Sequence, residues 1–195
     1  ALLQSDRTYP AFLLLVHTGA RRAEIAGLRW SSVDFAANQL HIEGSVVPVK
    51  GQGLTYAPTK TKSGMRTITV DDEVMEVLRQ HKLHQMKYIH DRQGAVKEMG
   101  WVFMSETGNV LDPLVLTKKW RVAADRCGVD ARLHDVRHFH ISQLLSNGVP
   151  IKVVQDRAGH SSPTVTLGIY AHVMPGQDQA AASLFSRVMA GSEKS

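Results

Sequence analysis

The spacing of apolar residues changes twice along this chain, and that change constrains the fold more than any single residue does. Residues 8–17 predict a buried helix stopped by Gly19, and a short helix follows at 21–28, where Ile25 and Leu28 share one face. From residue 39 the period drops to two: Leu40 and Ile42 alternate with His41 and Glu43, and 45–49, 54–57 and 66–70 are also extended. This predicts a small antiparallel sheet over 39–70, with Ser63-Gly64 as a tight turn between two of its strands. Asp71 stands where it can cap a long helix running to residue 90, with Val74, Val77 and Leu78 on the buried stripe. Gly94 and Gly100 frame a loop, and 101–104 forms one more short extended stretch. From Pro113 onward the pattern is helical, over 113–127, 134–147, 150–158, 163–172 and 178–190, with Gly148, Gly159 and Pro163 as stops and starts. The expected fold class is mainly α with a small antiparallel β-sheet (α+β).

The 195 residues suffice for one domain with a real core and fall short of two comfortable ones, so 1–195 is expected to be a single domain. With 43% hydrophobic and 21% charged residues the chain is globular, not disordered. A net charge of +5 fits a nucleic-acid partner, because phosphates attract Lys and Arg and release counterions on binding. Many basic proteins bind no nucleic acid, so charge alone does not decide. The one cysteine, Cys127, excludes an intrachain disulfide and fits a reducing compartment. The apolar run 11–16 is far too short to span a bilayer, no signal-peptide pattern precedes it, and no membrane association is expected. The chain opens without Met in the approach to a helix, which is the expectation for a fragment of a longer protein.

Chemistry concentrates in the last third. His134 and Arg137 lie three apart on a predicted helix, so they share a face: Arg can give two parallel hydrogen bonds to phosphate oxygens while His exchanges a proton. An isolated pair of this kind equally fits a solvated helix surface. His134 and His138 are four apart, as metal ligands can be, but the Glu of a zinc-binding H-E-x-x-H and a third ligand are missing, and no metal is expected. His160 follows Gly159 in a tight corner between helices, where it can serve a ligand or cap carbonyls. Tyr170 is either a half-buried tyrosine with a wet hydroxyl or a nucleophile that needs help at neutral pH. Gly168 in the same helix weakens it. Far upstream, Arg21 stands near a helix start, a poor place for a cation unless an anion binds there. Glu24, three residues on, either orients that guanidinium or forms an ordinary surface ion pair. The segment from Thr59 to Arg66 forms a basic hairpin tip with Lys60 and Lys62 on one strand face, a solvated turn or a cationic finger for a groove.

Taken jointly and in order, these segments resemble the catalytic domain of the tyrosine recombinases, the phage integrase family. Thr18-Gly19-Ala20-Arg21-Arg22-Ala23-Glu24, with Gly27-Leu28-Arg29-Trp30 and Val33-Asp34-Phe35 behind it, resembles the first-arginine box. Pro58-Thr59-Lys60-Thr61-Lys62-Ser63-Gly64 resembles the catalytic-lysine segment, which implies Lys60 as the lysine and Lys62 as the alternative. Leu133-His134-Asp135-Val136-Arg137-His138 resembles the H-x-x-R box, and Ala158-Gly159-His160-Ser161-Ser162 the second-histidine box, with Ala158 where Leu is frequent. Ile169-Tyr170-Ala171-His172-Val173 resembles the nucleophile box, ten residues after His160.

The resemblance implies a site-specific recombinase, or integrase, that cleaves and rejoins DNA through a 3′-phosphotyrosyl link. Arg21 and Arg137 would hold the scissile phosphate, and Tyr170 would attack it. Lys60 would protonate the leaving 5′-oxygen, His134 would accept the tyrosine proton, His160 would bind the phosphate, and Glu24 would orient the arginines. Lys62 and Arg66 are expected to contact DNA. No cofactor is implied. The implied partners are double-stranded core sites, further copies in a tetramer exchanging a C-terminal segment such as 178–190, and a directionality factor. Core-binding and arm-binding domains would precede the chain, and the implied location is the cytoplasm of a bacterial host, on DNA. The same residues also suit a relaxing enzyme like the type IB topoisomerases, or a DNA-binding module whose catalysis has decayed.

Overall fold

The computed structural model describes residues 6–59, 64–92, 94–162, 164 and 166–168. Lys60, Lys62 and Tyr170, most of the helix expected at 163–172 and all of that at 178–190 lie outside the described residues.

Helix α1 (Tyr9–Thr18) is buried on several faces, with Ala11, Phe12, Leu14 and Leu15 at most 4% exposed, and it packs against four other helices. It ends where expected: Gly19 turns left-handed at φ 62° and its amide donates to the Leu15 carbonyl. A side chain there would also collide with His140, 2.5 Å from the position a Cβ would take, so both backbone and space require glycine. Helix α2 (Arg22–Ala26) follows at once and buries Ile25 and Ala26.

Strands β1 (Val33–Asp34), β2 (Gln39–Ile42), β3 (Gly44–Val49), β4 (Gly53–Pro58) and β5 (Arg66–Thr69) come next, all antiparallel, but in two sheets rather than the single one expected. Sheet one has the order β1-β2-β5, and sheet two is the β3-β4 hairpin. Ser63 of the tight turn expected at Ser63-Gly64 lies outside the described residues, and β4 and β5 do not pair with each other. β2 and β3 are nearly one strand, parted only by Glu43. Pro58 of β4 pairs with Gly44, and Arg66 of β5 pairs with Ile42. The Thr59 amide still donates to the Glu43 carbonyl (2.9 Å) before the chain leaves the ladder. β4 and β5 therefore pair in line along one nearly continuous partner, and residues 59–65 join them in sequence. Leu40, Ile42 and Ile68 point to the core, each at most 1% exposed.

Helix α3 (Asp72–His90) has Asp71 at its N-cap position as expected, although the carboxylate accepts no capping hydrogen bond, and it buries Val74, Met75 and Leu78. The stretch 101–104 makes only isolated bridges, Arg29 with Trp101 and Met104 with Val110, not a strand. Helix α4 (Pro113–Arg126) starts with proline in its first turn and with the Asp112 carboxylate accepting from the Leu114 amide (2.8 Å). Helices α5 (Leu133–Ser146) and α6 (Ile151–Ala158) follow, and residues 164 and 166–168 are helical as well.

Two apolar clusters result. The main one joins α1, α2, α3 and α4 to the sheets, and receives Leu133 and Val136 from the first turn of α5. The smaller one is Ile141, Leu145, Val154 and Ala158, from the rest of α5 and α6. Each fully buried aliphatic side chain contributes about 1.5–3 kcal/mol, so the main cluster dominates stability. Arg137 lies on α5 between the residues given to one cluster and those given to the other, and there the candidate site is built.

Candidate functional site at the end of helix α6

Helix α6 ends at Gly159, left-handed at φ 69°, whose amide donates to the Gln155 carbonyl (2.9 Å), as does that of His160 (3.2 Å). This closure leaves the carbonyls of Arg157, Ala158 and Gly159 to other partners, at the negative end of the helix dipole. Three arginines from three different elements satisfy them in succession. Arg66 of β5 donates Nε–H to the Arg157 carbonyl (2.8 Å). Arg137 of α5 donates Nη2–H to the Ala158 carbonyl (2.7 Å) and Nη1–H to the Gly19 carbonyl at the end of α1. Arg21, the N-cap residue of α2, donates Nη2–H to the Gly159 carbonyl (3.1 Å).

Glu24 holds this assembly from the other side. It is the third residue of α2 and only 4% exposed. Its Oε2 accepts from the Arg21 backbone amide (2.8 Å) and from Arg66 Nη2 (2.8 Å); its Oε1 accepts from Arg21 Nη1 (2.8 Å) and Arg66 Nη1 (3.2 Å). Burial by itself would raise this carboxyl, but the hydrogen bonds and charge of Arg66, and then of Arg21, outweigh it and hold the group below the usual glutamate value. The Arg66–Glu24 pair is buried on both sides, 6% and 5% exposed, so losing one partner strands a charge. The neighbouring Arg22 faces elsewhere, toward the Thr117 hydroxyl.

The candidates differ in exposure. Arg137 is 6% exposed, and burial followed by the charge of Arg21 lowers it to about 10, so it stays cationic at neutral pH. The Arg21 side chain is 47% exposed and offers the open face. His160 is 7% exposed, its Nδ1 2.8 Å from the Thr166 hydroxyl. Burial, then the charges of Arg137, Arg21 and Arg66, lower His160 to about 4, so it is neutral at pH 7. In the tautomer whose Nδ1 accepts from the Thr166 hydroxyl, the ring is a donor through Nε2. His134 is exposed one turn before Arg137, edge-on to His138 at 4.7 Å, and lowered by burial, then by the charges of His138 and Arg137. Among the described residues no three His, Cys, Asp or Glu side chains gather as a metal site.

The structure thus gathers Arg21, Glu24, Arg137 and His160 at the end of α6 and leaves His134 at the margin beside Arg137. Lys60, Lys62 and Tyr170 lie outside the described residues. Arg66, expected on the DNA-facing side, is turned inward with its guanidinium on protein partners. The signal for this was present: in strand parity Arg66 shares a face with Ile68, the buried residue of β5. A separate cleft of about 1130 Å³, lined by Arg7, Tyr9, His81, Tyr88 and Phe103 among others, shares no lining residue with this site.

A buried frame of guanidinium groups with an open arginine and a neutral imidazole at its edge has the donors that an oxyanion with several acceptors could take. The chain belongs to the phage integrase family, whose model matches residues 3–176. It is 32% identical over 193 residues to the tyrosine recombinase XerC-like protein of Caldanaerobacter subterraneus subsp. tengcongensis, covering 90% of this chain and 48% of that protein. It is 26% identical over 166 residues to the integrase of Staphylococcus phage L54a, covering 83% of this chain and 47% of that protein. The chain therefore spans about half the length of the curated relatives it matches. Among solved structures it is similar to the Tn1549 transposon integrase in complex with circular intermediate DNA, at TM-score 0.72 and 25% identity, covering 95% of this chain and 62% of that one. It also shares its fold with XerA recombinase, at TM-score 0.64 and 22% identity, covering 95% of this chain and 59% of that one.

Proposed function

We propose that this chain carries the catalytic centre of a site-specific DNA recombinase, an integrase that cuts and rejoins strands through a 3′-phosphotyrosyl intermediate. The observation that carries this reading is the meeting of Arg21, Arg137 and His160 at the last turn of α6, with Glu24 beneath them. Arg21 and Arg137 each retain N–H donors beyond their bonds to protein, because a guanidinium has five. Those donors take the non-bridging oxygens of the scissile phosphate and neutralise the charge that grows on them in the pentavalent transition state. His160, neutral, adds a hydrogen bond from its ring.

Tyr170 attacks phosphorus, so the bond from its oxygen to phosphorus forms as the bond from phosphorus to the 5′-oxygen breaks. The phenolic proton goes to His134, whose depressed basicity keeps it free to accept. Lys60 gives a proton to the departing 5′-oxygen, with Lys62 as the alternative donor and DNA contact. The covalent link retains the bond energy, so a 5′-hydroxyl from a second duplex reverses the step on a new partner. The named relatives and a DNA-bound structural neighbour support this substrate class. In this reading the protein works on paired core sites as a tetramer in a bacterial cytoplasm, with a directionality factor choosing integration or excision, and the relatives' additional length supplies further DNA contacts.

The test is a nicked suicide substrate carrying the core site. Wild-type protein is expected to trap a detergent-resistant covalent complex, and Tyr170→Phe to bind the DNA without forming it. An adduct that persists in Tyr170→Phe removes Tyr170 from the mechanism.

A further inference from the structure

We propose that Arg66 is a positioning residue of the strand-cleavage centre: its guanidinium ties Glu24, the last turn of α6 and Gly64 before β5 into one unit, and so fixes the direction of Arg21. The inference rests on the recombinase reading above and assigns Arg66 no contact with DNA.

The geometry is that of a clamp closed on protein. Nη1 and Nη2 take the two oxygens of Glu24 (3.2 and 2.8 Å), Nε takes the Arg157 carbonyl (2.8 Å), and Nη1 also reaches the Gly64 carbonyl (3.3 Å). At least four of the five N–H groups are therefore used within the chain, and the side chain is 6% exposed. Gly159 shows how closely the group is packed: a Cβ there would lie 2.7 Å from Arg66 Nη1 and 2.9 Å from Cζ, at a residue already left-handed. Each contact serves a different part of the proposed site. Glu24 holds Arg21, the Arg157 carbonyl belongs to the turn that presents His160, and Gly64 lies four residues after Lys60 in the sequence.

Charge explains why a second arginine is needed. Glu24 faces Arg21 from its own turn and Arg66 from β5, with Arg137 of α5 in electrostatic reach. Without Arg66 the carboxylate is free to swing onto Arg21 with both oxygens, withdrawing that guanidinium and cancelling its charge. With Arg66 in place, Glu24 offers the Arg21 side chain a single oxygen (2.8 Å), which orients the guanidinium and leaves donors outward. A lysine cannot copy the fork.

The experiment is single-turnover cleavage of the nicked suicide substrate by the full chain, with DNA affinity measured by mobility shift and folding by near-ultraviolet circular dichroism. Arg66→Met is expected to slow cleavage by about 100-fold, the scale of a misplaced catalytic group, while DNA affinity stays within about threefold. Arg66→Lys is expected to recover only part of the rate. Arg66→Met is also expected to gain an acid limb, cleavage slowing as pH falls from 8 to 6, because the loss of Arg66 leaves Arg21 alone to oppose the burial that raises Glu24. Arg66→Met/Glu24→Gln removes the stranded charge, so it is expected to fold, to cleave slowly and to lack the limb. The proposal is overturned if Arg66→Met cleaves like wild type, if its DNA affinity falls in parallel with its rate, or if the folded double variant cleaves like wild type. Absence of any adduct with wild-type protein overturns the recombinase reading as well, whereas a wild-type adduct with an indifferent Arg66→Met overturns this inference alone.

Discussion

The starts of α2 and α5 use the same local device and come to different ends. In each, an arginine occupies the N-cap, an acid stands three residues on, and the carboxylate accepts from the N-cap amide at 2.8 Å while pairing with the arginine side chain. At α5 the pair is Arg132 and Asp135, 81% and 36% exposed, an ordinary surface arrangement. At α2 it is Arg21 and Glu24, with Glu24 5% exposed and a second guanidinium on it. The capping chemistry is identical. What differs is what the fold lays over it: β5 and the end of α6 at α2, solvent at α5. A motif becomes a site when the tertiary structure buries one member and keeps the other open.

The sharpest way to break this comparison is to remove both acids in turn. Glu24→Ala leaves Arg66 buried without its counter-charge and is expected to cost about 3–5 kcal/mol in urea denaturation. Asp135→Ala, at the open end, is expected to shift the midpoint far less. Equal shifts would mean that burial does not distinguish the two ends.

Acid offers a second, intermediate contrast. His160, beside the buried end, and His140, packed against Gly19 and Arg157, are both lowered to about 4, chiefly by burial and then by arginine charge. A histidine whose folded value lies below its unfolded value near 6.5 binds its proton more readily when unfolded. Its stabilising contribution is full above about pH 6.5 and is lost as pH falls toward 4. Urea midpoints should fall across that window, and amide exchange in α6 should accelerate there before exchange in α3. His140→Gln or His160→Gln should flatten the slope; an unchanged slope in both would relocate the acid sensitivity.

The smallest effect expected is that of salt. Raising NaCl to 1 M screens the exposed Arg132–Asp135 pair and leaves the buried Arg66–Glu24 pair almost untouched. A double-mutant cycle at low and high salt reads the difference directly, and a salt-sensitive Arg66–Glu24 coupling would show that water reaches it.

The comparison also marks how far the residues speak for themselves. The i,i+3 spacing of Arg21 and Glu24 is equally consistent with a surface pair, and Arg132 and Asp135 have that same spacing, so no local pattern separates them. Order along the chain does: Arg21, His134, Arg137 and His160 were marked by their boxes, and three of the four meet at the end of α6. The described helices α1 to α6 were legible in their periodicity and glycine stops, with observed limits within two residues of those expected. The largest difference is at α2, which ends at Ala26 rather than at residue 28. The split of the sheet was not legible, because β4 and β5 are each plausible neighbours of the other and only the partner strand, continuous across Glu43, assigns them. Residues 101–104 have strand-like composition, yet they make single bridges to a loop and pack Trp101 beneath Arg29, 3.9 Å from the ring. The inward turn of Arg66 was available in strand parity but was overridden by its charge.

The tether between β4 and β5, which pair along one partner, has a mechanical consequence. The rungs on either side, Gly44 with Pro58 and Ile42 with Arg66, are set by the unbroken β2-β3 backbone, not by what happens between them. The tether can be lengthened or shortened without shifting the register of either strand, and the entropic cost grows only with the logarithm of its length. Length is thereby uncoupled from scaffold: the link can vary between Thr59 and Gly64 while the strands on either side keep their partners.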